Sequence, residues 1–291
     1  MPAWRGAERH VQEGRAVRNP WRTARSSAGR VSDGPAGEFA AYSLAWSDEF
    51  DGAAGSPADG RTWRADTGGH GWGNQELQYY TDDTGNAALD GASHLAIAAG
   101  RADPQADGHR YGGCAYTSAR LVSKDQVSFR YGLVQARIKI PRARGIWPAF
   151  WMLGQDFDGT GWPQCGEIDI MEHFGTGPAV VHGAVHGPGY SGSGGICGSR
   201  TLGSSLGNDF HVYSVSWEPG RIRWYVNDKL YHSVTPADLR GKRWVFDHDF
   251  FLLLNVAVGG TASQDPDRSV SFPQVMLIDY IRIYTPSTPD S

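Results

Sequence analysis

The chain has 291 residues, a formal net charge of -4, and is rich in glycine (39) and tryptophan (11). That charge gives no support to nucleic acid or another polyanion as partner. No apolar run reaches the roughly 20 residues of a membrane helix, so no membrane association is expected. Gly-rich turns with many aromatics fit a β-sandwich. Three cysteines, Cys114, Cys165 and Cys197, are an odd set; a Cys114–Cys197 bridge stays open, their spacing argues against zinc, and Cys165 reads as a buried small hydrophobe.

Residues 1–40 are expected to be a disordered tail: seven Arg with scattered Gly, Ser and Pro, no apolar periodicity, and no apolar core of a secretory signal. From about Tyr42 the pattern becomes strand and turn. Trp46–Phe50 reads as a strand closed by Asp51-Gly52. The loop from Thr67 through Gly73 carries glycines that let backbone approach a ligand, without the Lys-Ser/Thr of a phosphate loop. Leu95–Ala98 and Tyr116–Leu121 are short strands. Tyr131–Pro141 alternates, with Val134, Ala136, Ile138 and Ile140 on one face. Gly145–Leu153 follows, where Trp147 and Trp151 share a strand face; by periodicity alone they suit either a core or the apolar face of a sugar ring. Three more strands are read at Phe210–Glu218, Ile222–Asp228 and Phe250–Val258, the last apolar throughout, as in a strand covered on both sides. Met276–Tyr284 alternates as the final strand, and residues 287–291 are a short tail.

The chemistry concentrates in Glu167-Ile168-Asp169-Ile170-Met171-Glu172. Alternation puts Glu167 and Asp169 on one face of a strand and Ile168 and Ile170 on the other. Glu172 falls out of phase, and an unpaired carboxylate in the apolar layer would be costly. A β-bulge that counts Ile170 and Met171 as one position returns it to the carboxylate face. Three acids on one face shift one another's pKa. Two of them then form the pair that glycoside hydrolysis needs, with separations of about 5 Å for retention and about 6.5–9.5 Å for inversion. No Gly-x-Ser-x-Gly elbow announces a serine hydrolase. His182 and His186, on a strand, do not converge as zinc ligands, and His182 reads as a core histidine.

This E-I-D-I-M-E segment resembles the bulged signature of the family 16 glycoside hydrolases, and within them the bacterial laminarinases. The resemblance runs from Trp46-Ser47-Asp48-Glu49-Phe50 to Asp279-Tyr280-Ile281-Arg282-Ile283-Tyr284 and takes in Trp72-Gly73-Asn74, Tyr116–Arg120 and Trp147-Pro148-Ala149-Phe150-Trp151. It implies one catalytic domain over residues 41–286, all-β, a jelly-roll sandwich of two antiparallel sheets with a concave substrate cleft. It implies a retaining endo-hydrolase of β-1,3-glucan, with mixed-linkage β-1,3-1,4-glucan as the alternative and a non-catalytic glucan-binding module as a more distant one. Glu167 would be the nucleophile, Glu172 the acid/base, and Asp169 would tune the pair. Asn74, Arg120, Trp147, Trp151 and His186 would contact substrate, with His186 also a partner for Glu172, and Trp162 a weaker candidate. No cofactor is required. A structural Ca²⁺ near Glu49, Gly91 and Asp279 follows from the resemblance alone. So do action as a monomer and secretion, since polysaccharide is met outside the cell.

Overall fold

The computed structural model describes residues 37–287 except 104 and 106–109. The tail expected over residues 1–40 therefore lies, for 1–36, outside the described residues, as do residues 288–291. Gly37–Phe39 form a single 3-10 turn. Phe39 is buried with Leu133, Tyr225 and Tyr284, so the packed structure begins a few residues before Tyr42.

Two sheets make up the protein, as the jelly-roll expectation requires. The first has ten strands, with Lys229–Val234, Arg221–Val226, His211–Glu218, Gly132–Lys139, Gln274–Pro286 and Leu95–Arg101 in spatial order before two short edge strands. Tyr42–Asp48 pairs with the last long strand, Gln274–Pro286, joining the two ends of the domain. The second has eight strands and runs Ile196–Thr201, Val180–His186, Glu167–Glu172, Ile146–Gly154, Phe250–Val258, Arg120–Val122 and Arg64–Asp66, with Ser128–Phe129 pairing beside Phe250. All pairings among these strands are antiparallel but one, between Gln78–Tyr80 and Tyr116–Ser118.

Period-2 alternation decides what lies between the sheets. Val134, Ala136, Ile138, Tyr213, Val215, Trp217 and Trp224 from the ten-stranded sheet meet Phe150, Met152, Ile168, Ile170, Val181 and Val185 from the other in one continuous core. Phe250–Val258 is buried at every position. Phe250, Leu252, Leu254, Val256 and Val258 enter that core, whereas Phe251 and Leu253 pack on the opposite face with Val122, Leu153, Cys165 and Trp151. This is the two-sided cover expected of an uninterrupted apolar run. All three cysteines are free thiols, so the Cys114–Cys197 bridge does not form, and Cys165 is buried as expected.

Candidate active site

Strand register shows how the carboxylates come to share a face. Asp169 pairs with Ala184 and Glu172 with His182: three steps along one strand match two along its neighbour. Against the other neighbour, Trp151 faces Asp169 while Phe150 faces Met171, leaving Ile170 without an opposite residue. Ile170 and Met171 are both fully buried. The strand thus takes the bulge that the out-of-phase Glu172 demanded, since the alternative was a carboxylate in the apolar layer. Cross-strand rows on the outer face follow: Leu153, Glu167 and His186; Trp151, Asp169, Ala184 and Cys197; Ala149, Glu172, His182 and Ser199.

Each outer carboxylate is gripped by an indole. Nε1 of Trp162 donates to Oε2 of Glu167 at 2.6 Å, and Nε1 of Trp147 donates to Oε1 of Glu172 at 2.9 Å. Asp169 lies between the two glutamates along the strand, with Nε2 of His186 at 3.2 Å from its Oδ2 and 4.0 Å from Oε1 of Glu167. The expectation that His186 would partner Glu172 is corrected by the register: His186 stands opposite Glu167, and His182 stands opposite Glu172. The His182 ring packs 4.8 Å from Phe174, and burial lowers its pKa.

Desolvation is the largest influence on all three acids and favours their neutral forms. It raises Glu167 to about 8, with Asp169 adding to the rise and His186 and the Trp162 hydrogen bond opposing it. Asp169 is raised to about 7 by burial. Glu172 is pushed well above the ordinary range by burial and by the charges of both Asp169 and Glu167. The proton therefore rests most firmly on Glu172, and of the two glutamates Glu167, which accepts the Trp162 hydrogen bond, is the more easily ionised. Two carboxyl groups with opposite tasks need this kind of asymmetry.

The expected substrate-contacting residues are close by, joined by a network that sequence reading missed. Nε1 of Trp151 donates to Oδ1 of Asn255 at 2.8 Å, and Nδ2 of Asn255 donates to the Tyr80 hydroxyl at 3.0 Å. That hydroxyl donates to Oε2 of Glu76 at 3.1 Å. Glu76 also accepts from Nδ2 of Asn74 at 3.0 Å and Nε2 of Gln78 at 2.7 Å. The Arg120 guanidinium sits between the Trp72 and Trp151 rings, 4.8 and 4.9 Å from their centroids, and its Nε is 3.2 Å from Oδ2 of Asp66. A signal for Asn255 existed: it is the one polar residue in the apolar run 250–258. Trp162, 44% exposed, proves to be a direct partner of a carboxylate rather than a peripheral aromatic.

Among the described residues, Glu167, Asp169 and His186 are the one set of three acid, His or Cys side chains close enough to hold a metal ion, their donor atoms within 4.8 Å of one another. The calcium candidates are engaged elsewhere. Glu49 receives both Nε and Nη2 of Arg282 at 2.9 and 2.8 Å, and Asp279, the extra residue at a register shift in its strand, receives Nη1 of Arg137 at 2.6 Å.

Two half-buried glutamates flanking a buried aspartate, on a sheet face lined with indole rings, are the equipment of a glycoside hydrolase. The model of glycosyl hydrolases family 16 matches residues 71–276, and the chain belongs to that family. A β-glucanase of Rhodothermus marinus is 43% identical over 255 residues, covering 84% of this chain and 85% of its own length. The solved endo-β-1,3-glucanase of Pyrococcus furiosus superposes with a TM-score of 0.77 at 43% identity, over 84% of this chain and 94% of that one. The laminarinase catalytic domain of Thermotoga maritima gives a TM-score of 0.76 at 44% identity, over 84% and 98%.

Proposed function

We propose that this protein is an endo-acting, retaining hydrolase of β-1,3-glucan. The observation that carries the reading is the bulge at Ile170-Met171, which brings Glu172 onto the face that holds Glu167 and Asp169. Glu167 attacks the anomeric carbon as the glycosidic bond breaks, and Glu172 gives its proton to the departing oxygen. A covalent glycosyl–Glu167 ester results. Glu172, now ionised, takes a proton from water as that water attacks the same carbon and releases Glu167. Asp169 and His186 modulate the Glu167 charge through these steps, and the Trp147 and Trp162 indoles hold the two glutamates in place.

Trp151 and Trp147 offer ring faces to the apolar side of glucose units, while Asn74 and Arg120 offer donors to hydroxyls. The β-1,3 linkage is supported by the similarity to the Pyrococcus endo-β-1,3-glucanase and the Thermotoga laminarinase. The protein would act as a monomer outside the cell, where polymeric glucan is met. A Ca²⁺ ion held by backbone oxygens of Glu49 and Gly91 together with Asp279 would serve stability alone, so chelation would lower the melting temperature without changing the chemistry. Incubation with laminarin and analysis of the oligosaccharides released tests the reading. A ladder of short β-1,3 products supports it, and release from barley mixed-linkage glucan alone would move the specificity.

A further inference from the structure

The carbonyl of Asp169 points away from the catalytic face and into the core. There it accepts Nε1–H of Trp224 at 2.7 Å. Trp224 belongs to the other sheet and is fully buried. Its indole crosses the interior to reach the residue immediately before the bulge, where the extra residue interrupts the regular ladder. A buried carbonyl at such a point needs a donor.

The approach depends on a notch cut into the eight-stranded sheet. Gly183 and Gly198 are direct cross-strand partners on neighbouring strands. A Cβ on Gly183 would lie 2.4 Å from Cδ1 and 2.7 Å from Nε1 of Trp224, and a Cβ on Gly198 would lie 2.2 Å from Cγ of His232. Trp224 and His232 face each other in register and their rings pack 4.9 Å apart. The two glycines thus admit a Trp–His pair close beneath the catalytic strand. The Tyr231 hydroxyl enters the same notch, 2.7 Å from the Gly183 Cβ position, and is buried without a hydrogen-bond partner.

We propose that Trp224 is a positioning residue that fixes the bulge, and with it the phase in which Glu172 faces the substrate beside Glu167. The inference rests on the glycosidase reading above. Trp224 touches no substrate. It acts by holding the Asp169 carbonyl, so that Ile170 and Met171 both stay in the core and the strand cannot slip toward regular alternation. A slip would turn Glu172 inward while leaving the aromatic sugar-binding face intact.

The test is steady-state hydrolysis of laminarin by Trp224→Phe, which keeps an aromatic ring in the core and removes the N–H. The expected result is a fall in kcat of about tenfold or more with KM unchanged, the pattern of lost transition-state stabilisation. Tyr231→Phe removes a hydroxyl from the same notch without touching the Asp169 carbonyl, and should leave kcat within about twofold of the parent. If Trp224→Phe does not fold, Gly183→Ala serves instead. It displaces the indole without deleting it and should give the same kcat-selective loss. Unchanged kcat in the folded variants, or a rise in KM alone, would overturn the assignment. An inactive parent protein would instead overturn the functional reading on which it rests.

Discussion

Nε1 of Trp162 lies 2.6 Å from Oε2 of Glu167, although Trp162 is itself 44% exposed. A rim residue thus holds the acid to which nucleophilic attack is assigned, and its hydrogen bond favours the ionised form. Removing that donor raises the Glu167 pKa further. Trp162→Phe should therefore shift the acidic limb of the kcat/KM profile to higher pH, with a several-fold loss of activity on the acidic side and little change above it. An unmoved limb would mean that the contact only tethers the loop.

Glu167→Gln should abolish turnover and yet stabilise the protein in alkaline solution. Glu167 is raised from 4.5 in its ordinary state to about 8 in the fold. The native state therefore binds this proton more tightly than the unfolded state does. Its contribution is fully present below about pH 4.5 and is lost as pH rises through the folded pKa. The neutral amide escapes that loss. Thermal melts should show the variant gaining on the parent between about pH 5 and pH 9 and matching it most closely at about pH 4. Asp169, raised from 3.8 to about 7, follows the same sign over a window that begins and ends lower.

Glu172→Gln removes the proton donor but keeps an oxygen to accept the Trp147 indole. Hydrolysis of laminarin should fall by about 10²–10⁴, the range of general acid catalysis. Aryl glycosides whose leaving groups need no protonation should lose less in the bond-breaking step. Burst kinetics on such a substrate would reveal a covalent intermediate accumulating because water is no longer activated. Equal losses on both substrate classes would argue against the acid/base role.

Glu76→Gln should damage substrate binding more than chemistry. Two carboxylate oxygens accept donors from Asn74, Gln78 and Tyr80. The Tyr80 hydroxyl, pushed well above its ordinary pKa chiefly by burial, remains a donor. An amide would set an NH₂ against one of these donors, at a cost of about 1–3 kcal/mol if the group is left unsatisfied. KM should rise several-fold with kcat much less affected, and the melting temperature should fall. A selective drop in kcat would place Glu76 in the chemistry instead.

The bulge was legible because Glu172 violates a strict two-residue period and burying it would be costly. The long strands were legible for the same reason, including the two-sided cover of Phe250–Val258. Contacts between layers were not. Nothing in the alternation around Trp224 tells which carbonyl its N–H will meet, because that depends on how the sheets stack. The partner of His186 depended on cross-strand register, which a single strand does not encode. Asn255 was visible as a polar break in an apolar run, but its link to Trp151 and Glu76 joins residues far apart in sequence.

Double displacement on a β-1,3-glucan requires Glu167 to carry the sugar and Glu172 to shuttle the proton. The most direct test is proton NMR of the first products released from laminarin by the purified protein, before mutarotation sets in. Double displacement gives β-1,3-oligosaccharides whose new reducing ends appear first as the β-anomer. Initial α-anomers, or no oligosaccharide release from a folded protein that binds the polymer, would contradict it.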